Sequence, residues 1–336
     1  MASEPLAADD RSERRRAFLR MLLMMLLIVS VVFGGLFAYA RTWPPIVAIE
    51  SGSMMHGESV SELGVIDTGD IVIVQAIASR AEVVTYVEGR ATGYTTYGDY
   101  GDVLVFRDPR GLAGTAFIHR ALAYVVWNGT SGGYDVPELG RLPDGDWDAW
   151  DTSESPTNRT YGVSRFLLRQ SGWRHDLDLY VNLTTGARQI AVEPGATGFL
   201  TLGDRNAYEN PFAKTDLWIV ETSHVLGRAR GEIPWFGLIK LTLLREGPGC
   251  CEYWGSTHPD VGAPGNSWLA LDVSLGILIA TPVALTLLEM YLDRHPETRE
   301  EWRSAWRRIW RRRREAPEAD RASGEEGEEK DENSNT

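Results

Sequence analysis

An uncharged apolar run near the N-terminus constrains this chain more than any other feature. Residues 21–40 contain no charged side chain, and twenty helical residues span about 30 Å, the thickness of a bilayer's hydrocarbon core. Five arginines lie within residues 11–20, which favours a cytoplasmic N-terminus under the positive-inside rule. A cleavable signal peptide is the alternative, but its apolar core is shorter. We therefore expect a cytoplasmic segment over 1–20 and a transmembrane helix over 21–40.

A second apolar run lies near the C-terminus. Residues 273–288 are uncharged and can be extended to 268–292. Sixteen residues alone could also form a buried core helix. The arginine-rich segment Trp306–Arg314 follows, and such a concentration of positive charge is typical of the cytoplasmic side of a span. We therefore predict a second transmembrane helix over 268–292, with both termini in the cytoplasm.

The C-terminal region divides into a basic part and an acidic part. Trp302, Trp306 and Trp310 recur at steps of four, which predicts an amphipathic helix over 293–314 lying on the membrane surface. A nucleic-acid-binding arm is the alternative. Residues 315–336 are acidic and lack aromatic side chains, so we expect a disordered tail.

Between the two apolar runs, residues 41–267 alternate apolar and polar side chains, which predicts a mainly β domain outside the membrane. Within it, residues 127–190 are expected to form a surface insertion, with a short helix over 163–171. The predicted fold class is a mainly β extracytoplasmic domain anchored by two transmembrane α-helices. The predicted strands are Asp70–Gln75, Val103–Phe106, Leu177–Val181, Gln189–Val192, Gly198–Leu202 and Ile239–Leu243.

Charge and cysteine content exclude several classes of function. The net charge is −13, and only three of the 34 basic residues are lysines, so no basic face remains for nucleic acid. Cys250 and Cys251 are adjacent. That spacing suits neither a zinc site nor an unstrained disulfide, so free thiols are expected. No metal or cofactor site is predicted.

Ser53 is the candidate nucleophile. It lies in a Ser-Gly-Ser turn directly after the apolar residues 46–49, where backbone N–H groups can point at a ligand. A serine needs a neighbouring base. His119 ends an apolar segment and is the first candidate, although composition alone favours a buried structural histidine. Asp204 follows the predicted strand 198–202, where an ordinary turn aspartate is the alternative.

These segments together resemble a known family. In chain order, Ser51–Met54 read Ser-Gly-Ser-Met, Gly69–Val72 read Gly-Asp-Ile-Val, and His119 stands in Phe-Ile-His-Arg. Leu200–Asn206 then read Leu-Thr-Leu-Gly-Asp-Arg-Asn, and Gly227–Gly237 complete the pattern. This order resembles type I signal peptidases of the archaeal and endoplasmic-reticulum branch. The resemblance covers residues 43–125 and 196–243, and it leaves the insertion unmatched.

The resemblance implies a signal-peptidase-like β fold and specific roles. Ser53 would be the nucleophile and His119 the general base, in the position where bacterial members carry lysine. Asp204 is retained as a site residue. The acid that orients His119 is either Asp216 or Glu209, because the spacing after Asp204 departs from the family pattern, and we favour Asp216.

A second departure from the family pattern concerns the turn after the nucleophile. His56 stands where the family often has proline. It places a second imidazole near Ser53 and is therefore a rival base.

The resemblance also implies a substrate and a location. The Ser53 N–H and the Ser51 hydroxyl would bind the oxyanion, and an extended substrate would pair with residues 46–50 beside Val47, Ile49 and Met54. The substrates would be signal-peptide-bearing preproteins in the cytoplasmic membrane, and the protein translocation machinery is a candidate partner. The alternatives are an inactive paralogue or assembly factor, and a peptidase dedicated to a few pilin or biofilm proteins.

Overall fold

The computed structural model describes residues 6–108, 116–183, 195–209, 216, 218–244, 251, 253–256 and 262–308. The chain divides into two compact units, Met1–Leu271 and Asp272–Thr336. Overall 26% of the chain is strand and 38% is helix, so the fold class is mixed once the long helices are included.

Two long helices coincide with the apolar runs. Helix α1 covers Leu6–Ala40, and its apolar part, Arg15–Ala40, is long enough to span a membrane, with none of the most apolar stretch buried. The second long helix covers Ser267–Arg294 and is also long and apolar enough to span. Residues 296–308 are helical as well. The rest of the predicted surface helix and the acidic tail lie outside the described residues.

The end of α1 is bonded directly to the β domain. The Ala76 N–H donates to the Ala40 carbonyl at 2.7 Å. The Arg41 guanidinium donates to the Ala76 carbonyl and to the Glu82 carboxylate, both at 3.0 Å. These bonds attach the end of the helix to the residue that follows the strand Ile71–Gln75.

One antiparallel sheet forms the centre of the first unit. Its strands are β1 (Ile46–Ala48), β2 (Ile71–Gln75), β5 (Val103–Arg107), β6 (Ala116–Asn128), β7 (Gly133–Asp135), β11 (Gly198–Leu202) and β12 (Val225–Ile233). The order is β1-β2-β12-β5-β6-β11, and β7 pairs with β6. In the described part of the chain, β1 is therefore an edge strand, and β5 and β6 are central.

The remaining elements are short or lie around this sheet. They are α2 (Tyr86–Thr92), β3 (Thr95–Thr96), β4 (Asp99–Tyr100), β8 (Trp147–Trp150), β9 (Arg165–Ser171), β10 (Leu177–Asn182), α3 (Asn206–Glu209), α4 (Gly237–Leu244) and the second long helix, α5. Short 3-10 turns cover Arg80–Glu82, Pro137–Arg141 and Thr222–His224. Four of the six predicted strands are confirmed, as β2, β5, β10 and β11, and the prediction for Gln189–Val192 falls outside the described residues.

The predicted surface insertion contains a packed sheet of its own. Strands β8, β9 and β10 pair antiparallel, and Phe166, Leu168 and Leu179 from this sheet join Leu122 and Leu200 in one buried cluster. The short helix predicted over 163–171 was wrong, because Phe166 and Leu168 alternate with half-buried neighbours and face this cluster, and a period of two selects a strand.

The last predicted strand, Ile239–Leu243, was also wrong, because these residues belong to helix α4. Leu238 and Leu241 are fully buried, and a spacing of three places both on one face of a helix. Free thiols were the other expectation that failed: Cys251 is in a disulfide.

Candidate active site

Ser53 lies in a tight turn that follows the edge strand β1. The Met55 N–H donates to the Gly52 carbonyl at 3.1 Å, which closes the turn. The Arg205 N–H donates to the Ser53 carbonyl at 2.9 Å, so the segment after β11 holds the turn from the other side. Met54 is 1% exposed and anchors the turn in the core, while Ser53 remains partly exposed.

His119 approaches Ser53 from the central strand β6, where it pairs with Leu104. Its Nε2 atom is 3.0 Å from the Ser53 Oγ atom. The imidazole is buried and packs near the rings of Phe106 and Phe117. A histidine on a central strand between aromatic rings has little freedom to turn away from its hydrogen-bonding partners.

Asp216 completes a row of three side chains. Its Oδ2 atom is 2.7 Å from His119 Nδ1. The Thr201 hydroxyl donates to the same oxygen at 2.5 Å, and the Asp216 N–H donates to the Thr201 carbonyl at 2.9 Å. Thr201, on β11, therefore fixes both the backbone and the carboxylate of Asp216. With Nδ1–H donating to Asp216, Nε2 is free to accept the Ser53 proton.

The electrostatics of His119 reflect two opposing effects. Burial disfavours the imidazolium and lowers the pKa of His119, whereas the adjacent Asp216 carboxylate stabilises the cation and raises it. The carboxylate prevails, so the His119 pKa lies above its ordinary value of 6.5. Such a base is stronger than a free imidazole, but it is neutral only above its raised pKa.

Asp204 belongs to a second, separate cluster. Arg120 donates to both carboxylate oxygens, at 2.8 and 2.6 Å, and His56 Nε2 is 2.9 Å from Oδ2. Burial alone would raise the pKa of Asp204, but the Arg120 guanidinium beside it lowers that pKa below 3.8. The same guanidinium also donates to the carbonyls of Thr96, Tyr97, Asp99, Tyr100 and Gly101. Asp204 thus neutralises a buried arginine that ties down the β3–β4 hairpin.

The rival site residues contact partners other than the Ser53 hydroxyl. Glu209 accepts a hydrogen bond from Arg205 at 2.5 Å, so Asp216 is the acid that contacts His119 in the described chain. His56 is bonded to Asp204 and stacks on the Trp173 ring at 4.6 Å. His119 is therefore the imidazole placed against Ser53.

The predicted oxyanion and substrate residues occupy two environments. The Ser51 Oγ atom is 3.5 Å from Ser53 Oγ, close enough for the two hydroxyls to share one site. Ile49 and Met54 are buried in the core beneath the turn, and Val47 packs against the same cluster. Their side chains support the turn from below, which leaves the backbone of the edge segment to face a ligand.

No protein-family model matches this sequence, and no curated protein matches it. The chemistry of the site therefore rests on its own geometry. Ser53, His119 and Asp216 form the hydrogen-bonded arrangement of a serine nucleophile, a general base and an orienting acid. Among the described residues, no cluster of three or more His, Cys, Asp or Glu side chains is suited to a metal ion.

Sequence reasoning missed three residues that build this site. A Cβ atom at Gly203 would lie 2.7 Å from the Ser53 carbonyl and 3.1 Å from His119 Nε2, so only glycine fits between them. Thr201 and Arg120 were quoted only as parts of motifs. A signal for each was present, because a hydroxyl and a guanidinium inside apolar strands need partners when buried.

Proposed function

We propose that this chain is a membrane-anchored serine endopeptidase that removes N-terminal signal peptides from translocated preproteins, a type I signal peptidase of the Ser-His branch. The observation that carries the proposal is the hydrogen-bonded row from Asp216 through His119 to Ser53, with distances of 2.7 and 3.0 Å. Both imidazole nitrogens of His119 are engaged, one by Asp216 and the other by the Ser53 hydroxyl, so a catalytic role is favoured over an inactive paralogue.

In the proposed reaction, His119 takes the Ser53 proton while the hydroxyl oxygen attacks the scissile carbonyl carbon. The negative charge that develops on the carbonyl oxygen is stabilised by the Ser53 N–H and the Ser51 hydroxyl. His119 then gives the proton to the leaving amine, and the C–N bond breaks. Water, deprotonated by His119, hydrolyses the acyl-enzyme and restores the serine. Asp216 keeps the imidazole in the required tautomer throughout.

The placement of the site supports this substrate class. Ser53 lies only a short segment after a helix that is long and apolar enough to span a bilayer. Among the described strands, β1 pairs only with β2, so an extended peptide can join its other edge as a further strand. Peptides tethered to the membrane by a hydrophobic signal segment are the substrates that such an arrangement would meet.

The proposed location is the cytoplasmic membrane, with two spans, both termini in the cytoplasm and the catalytic unit outside. The arginines that precede the apolar run 21–40 within α1 and those near the C-terminus support this orientation through the positive-inside rule. The bilayer and the preprotein are the proposed partners, and the protein translocation machinery is a further candidate.

The test is cleavage of a preprotein by the purified full-length chain in proteoliposomes, with N-terminal sequencing of the product. Ser53→Ala should lower kcat by at least about 10⁴-fold. Ser155→Ala, at an exposed loop serine, is the matched control and should cleave normally. Equal cleavage by Ser53→Ala and the unmodified chain would refute the proposal.

A second measurement separates a general peptidase from a dedicated one. After depletion of the protein in cells, the N-termini of secreted proteins can be mapped. Retained signal peptides on many secreted proteins would support the general role. Retention on only one or two pilin- or biofilm-type proteins would support the specialised role.

A further inference from the structure

A cleft of about 250 Å³ adjoins the Ser53 turn on the side of Met55 and His56. Its volume is below the range of ~300–1,000 Å³ that is usual for drug-sized ligands, so it suits one or two amino-acid side chains. Neither the Ser53 hydroxyl nor the catalytic imidazole lines it. The cleft is therefore a binding surface beside the reacting atoms.

The three-stranded sheet of the insertion, β8–β10 (the inserted sheet), supplies one wall of this cleft. Trp173 and Arg174 lie in the turn between β9 and β10, and the Trp173 ring stacks on His56 with an interplanar angle of 5°. The Arg174 N–H donates to the Tyr208 hydroxyl at 3.0 Å. Gly172, at φ +75°, lets Tyr208 approach where a Cβ atom would come within 2.6 Å of the hydroxyl. The turn is thus held against the segment after Ser53, through His56, and against α3, through Tyr208.

The two arginines of the cleft differ in their partners. Arg205 is paired with two carboxylates, Glu58 at 2.9 Å and Glu209 at 2.5 Å. The Arg174 guanidinium lies 4.4 Å from the centre of the Trp173 ring and 4.9 Å from that of Tyr208. Within the described chain, no carboxylate forms an ion pair with Arg174, so its charge is available to a ligand.

The direction in which the peptide runs determines which part of the substrate the cleft can bind. A peptide paired with the edge strand β1 places its acyl part on that side of Ser53. The part that leaves as the amine must then continue past the Ser53 hydroxyl, toward Met55 and His56. This is the side on which the cleft opens.

We propose that the cleft binds the first residues of the mature chain, just after the scissile bond, and that Arg174 confers a preference for an acidic side chain there. The proposal rests on the proposed peptidase function. It also gives the inserted sheet a role, because Trp173 and Arg174 come from the region that the family resemblance leaves unmatched.

The experiment uses the full-length protein in proteoliposomes and a series of preproteins with Glu, Gln or Lys at the first, second or third mature position. Values of kcat/KM are compared for the unmodified chain, Arg174→Gln and Arg174→Glu. Because Arg174 is exposed, the unmodified chain should favour Glu over Lys by roughly two- to fivefold at one of these positions. Arg174→Gln should abolish the preference, and Arg174→Glu should reverse it. High salt should weaken it.

Arg159→Glu is the matched control, because Arg159 also lies over an aromatic ring in the inserted region, that of Tyr161, and does not line the cleft. It should keep the preference for Glu. Suppose that Ser53-dependent cleavage persists but the unmodified chain and Arg174→Glu rank the Glu, Gln and Lys substrates in the same order of kcat/KM. That result would overturn the proposal. Absence of Ser53-dependent cleavage of every substrate would overturn both the cleft assignment and the peptidase function.

Discussion

Two histidine–aspartate pairs in this molecule have the same composition and opposite surroundings. His119 lies between Asp216 and the Ser53 hydroxyl, whereas His56 lies between Asp204 and the flat face of Trp173. The first imidazole has one nitrogen directed at a hydroxyl. The second has its bonded nitrogen committed to a carboxylate that already pairs with Arg120.

The difference arises from the alternation of side chains along a strand. His119 and Arg120 are neighbours on β6, so they point to opposite faces of the sheet. One face carries the row from Asp216 to Ser53 and the other carries the buried ion pair. The comparison shows that a histidine–aspartate contact alone does not identify a base, since the group on the far side of the imidazole decides what it can do.

The largest expected effect comes from replacing the two histidines in the same way. His119→Gln should lower kcat by at least about 10⁴-fold, because an amide cannot accept the serine proton. His56→Gln should cost about tenfold or less, because its amide can still donate to Asp204. The measurement is preprotein cleavage under single-turnover conditions. A larger loss in His56→Gln than in His119→Gln would invert the assignment of the two pairs.

The two aspartates should separate activity from stability. Asp216→Asn should lower kcat by roughly 10²–10⁴-fold, because the imidazole loses its orienting acid, with little change in melting temperature. Asp204→Asn should instead destabilise the fold by about 3–5 kcal/mol, because it leaves the Arg120 charge buried without its counterion.

Thermal unfolding and kcat measured on the same two preparations test this contrast. If Asp204→Asn kept its melting temperature but lost activity, Asp204 would belong to the reaction rather than to the fold.

The pH dependence should also differ between the pairs. The His119 pKa is raised above 6.5 and the base must be neutral, so kcat/KM should rise with pH through a midpoint above 6.5. The stability that protonated His119 contributes is complete below about pH 6.5 and is lost as pH rises through the raised pKa. Activity and this part of the stability therefore change in opposite directions.

Asp204 gives the opposite pH signature, because its pKa is lowered from 3.8. Its contribution to stability is present above that value and is lost as pH falls through the lowered pKa. Profiles of kcat/KM and of melting temperature against pH would show both effects. An activity midpoint below 6.5 would contradict the assigned environment of His119.

The smallest effect is expected from Thr201→Val. Valine is close to threonine in size but cannot donate to Asp216, so the carboxylate loses a charge-assisted hydrogen bond worth about 1.5–3 kcal/mol. Because only part of this free energy stabilises the transition state, kcat should fall by about tenfold. Thr201→Ser, which keeps the hydroxyl, should retain more activity than Thr201→Val, and equal activities would show that the hydroxyl does not position Asp216.

The sequence was most informative where a reactive side chain adjoins a strong strand pattern. Ser53, His119 and Asp204 were each singled out because they follow or end apolar segments. The partner of each could not be read from such local patterns, since Asp216 meets His119 only through the pairing of β6 with β11. The resemblance to a family left the choice between Asp216 and Glu209 open, and the contacts of Thr201 and Arg205 distinguish them.

The errors in secondary structure have a common physical cause. Residues 239–243 and 163–171 are short segments in which apolar and polar residues fit either period. Packing decided between them: Leu238 and Leu241 required a helical face, whereas the cluster around Phe166 required alternation. The inserted region was expected to be a surface feature because residues 127–164 are rich in Gly, Asp, Ser and Pro, yet its large apolar residues build a second core.

The bonds between the end of α1 and the β domain have a consequence for how a cleavage point would be chosen. Arg41 and the backbone of Ala76 clamp the helix exit to the sheet, so under the proposed function the nucleophile stands at one height above the lipid. The molecule would then set a fixed distance between the membrane surface and the cleavage point. A preprotein would be cut where its chain, counted from the edge of its own hydrophobic segment, first reaches that height.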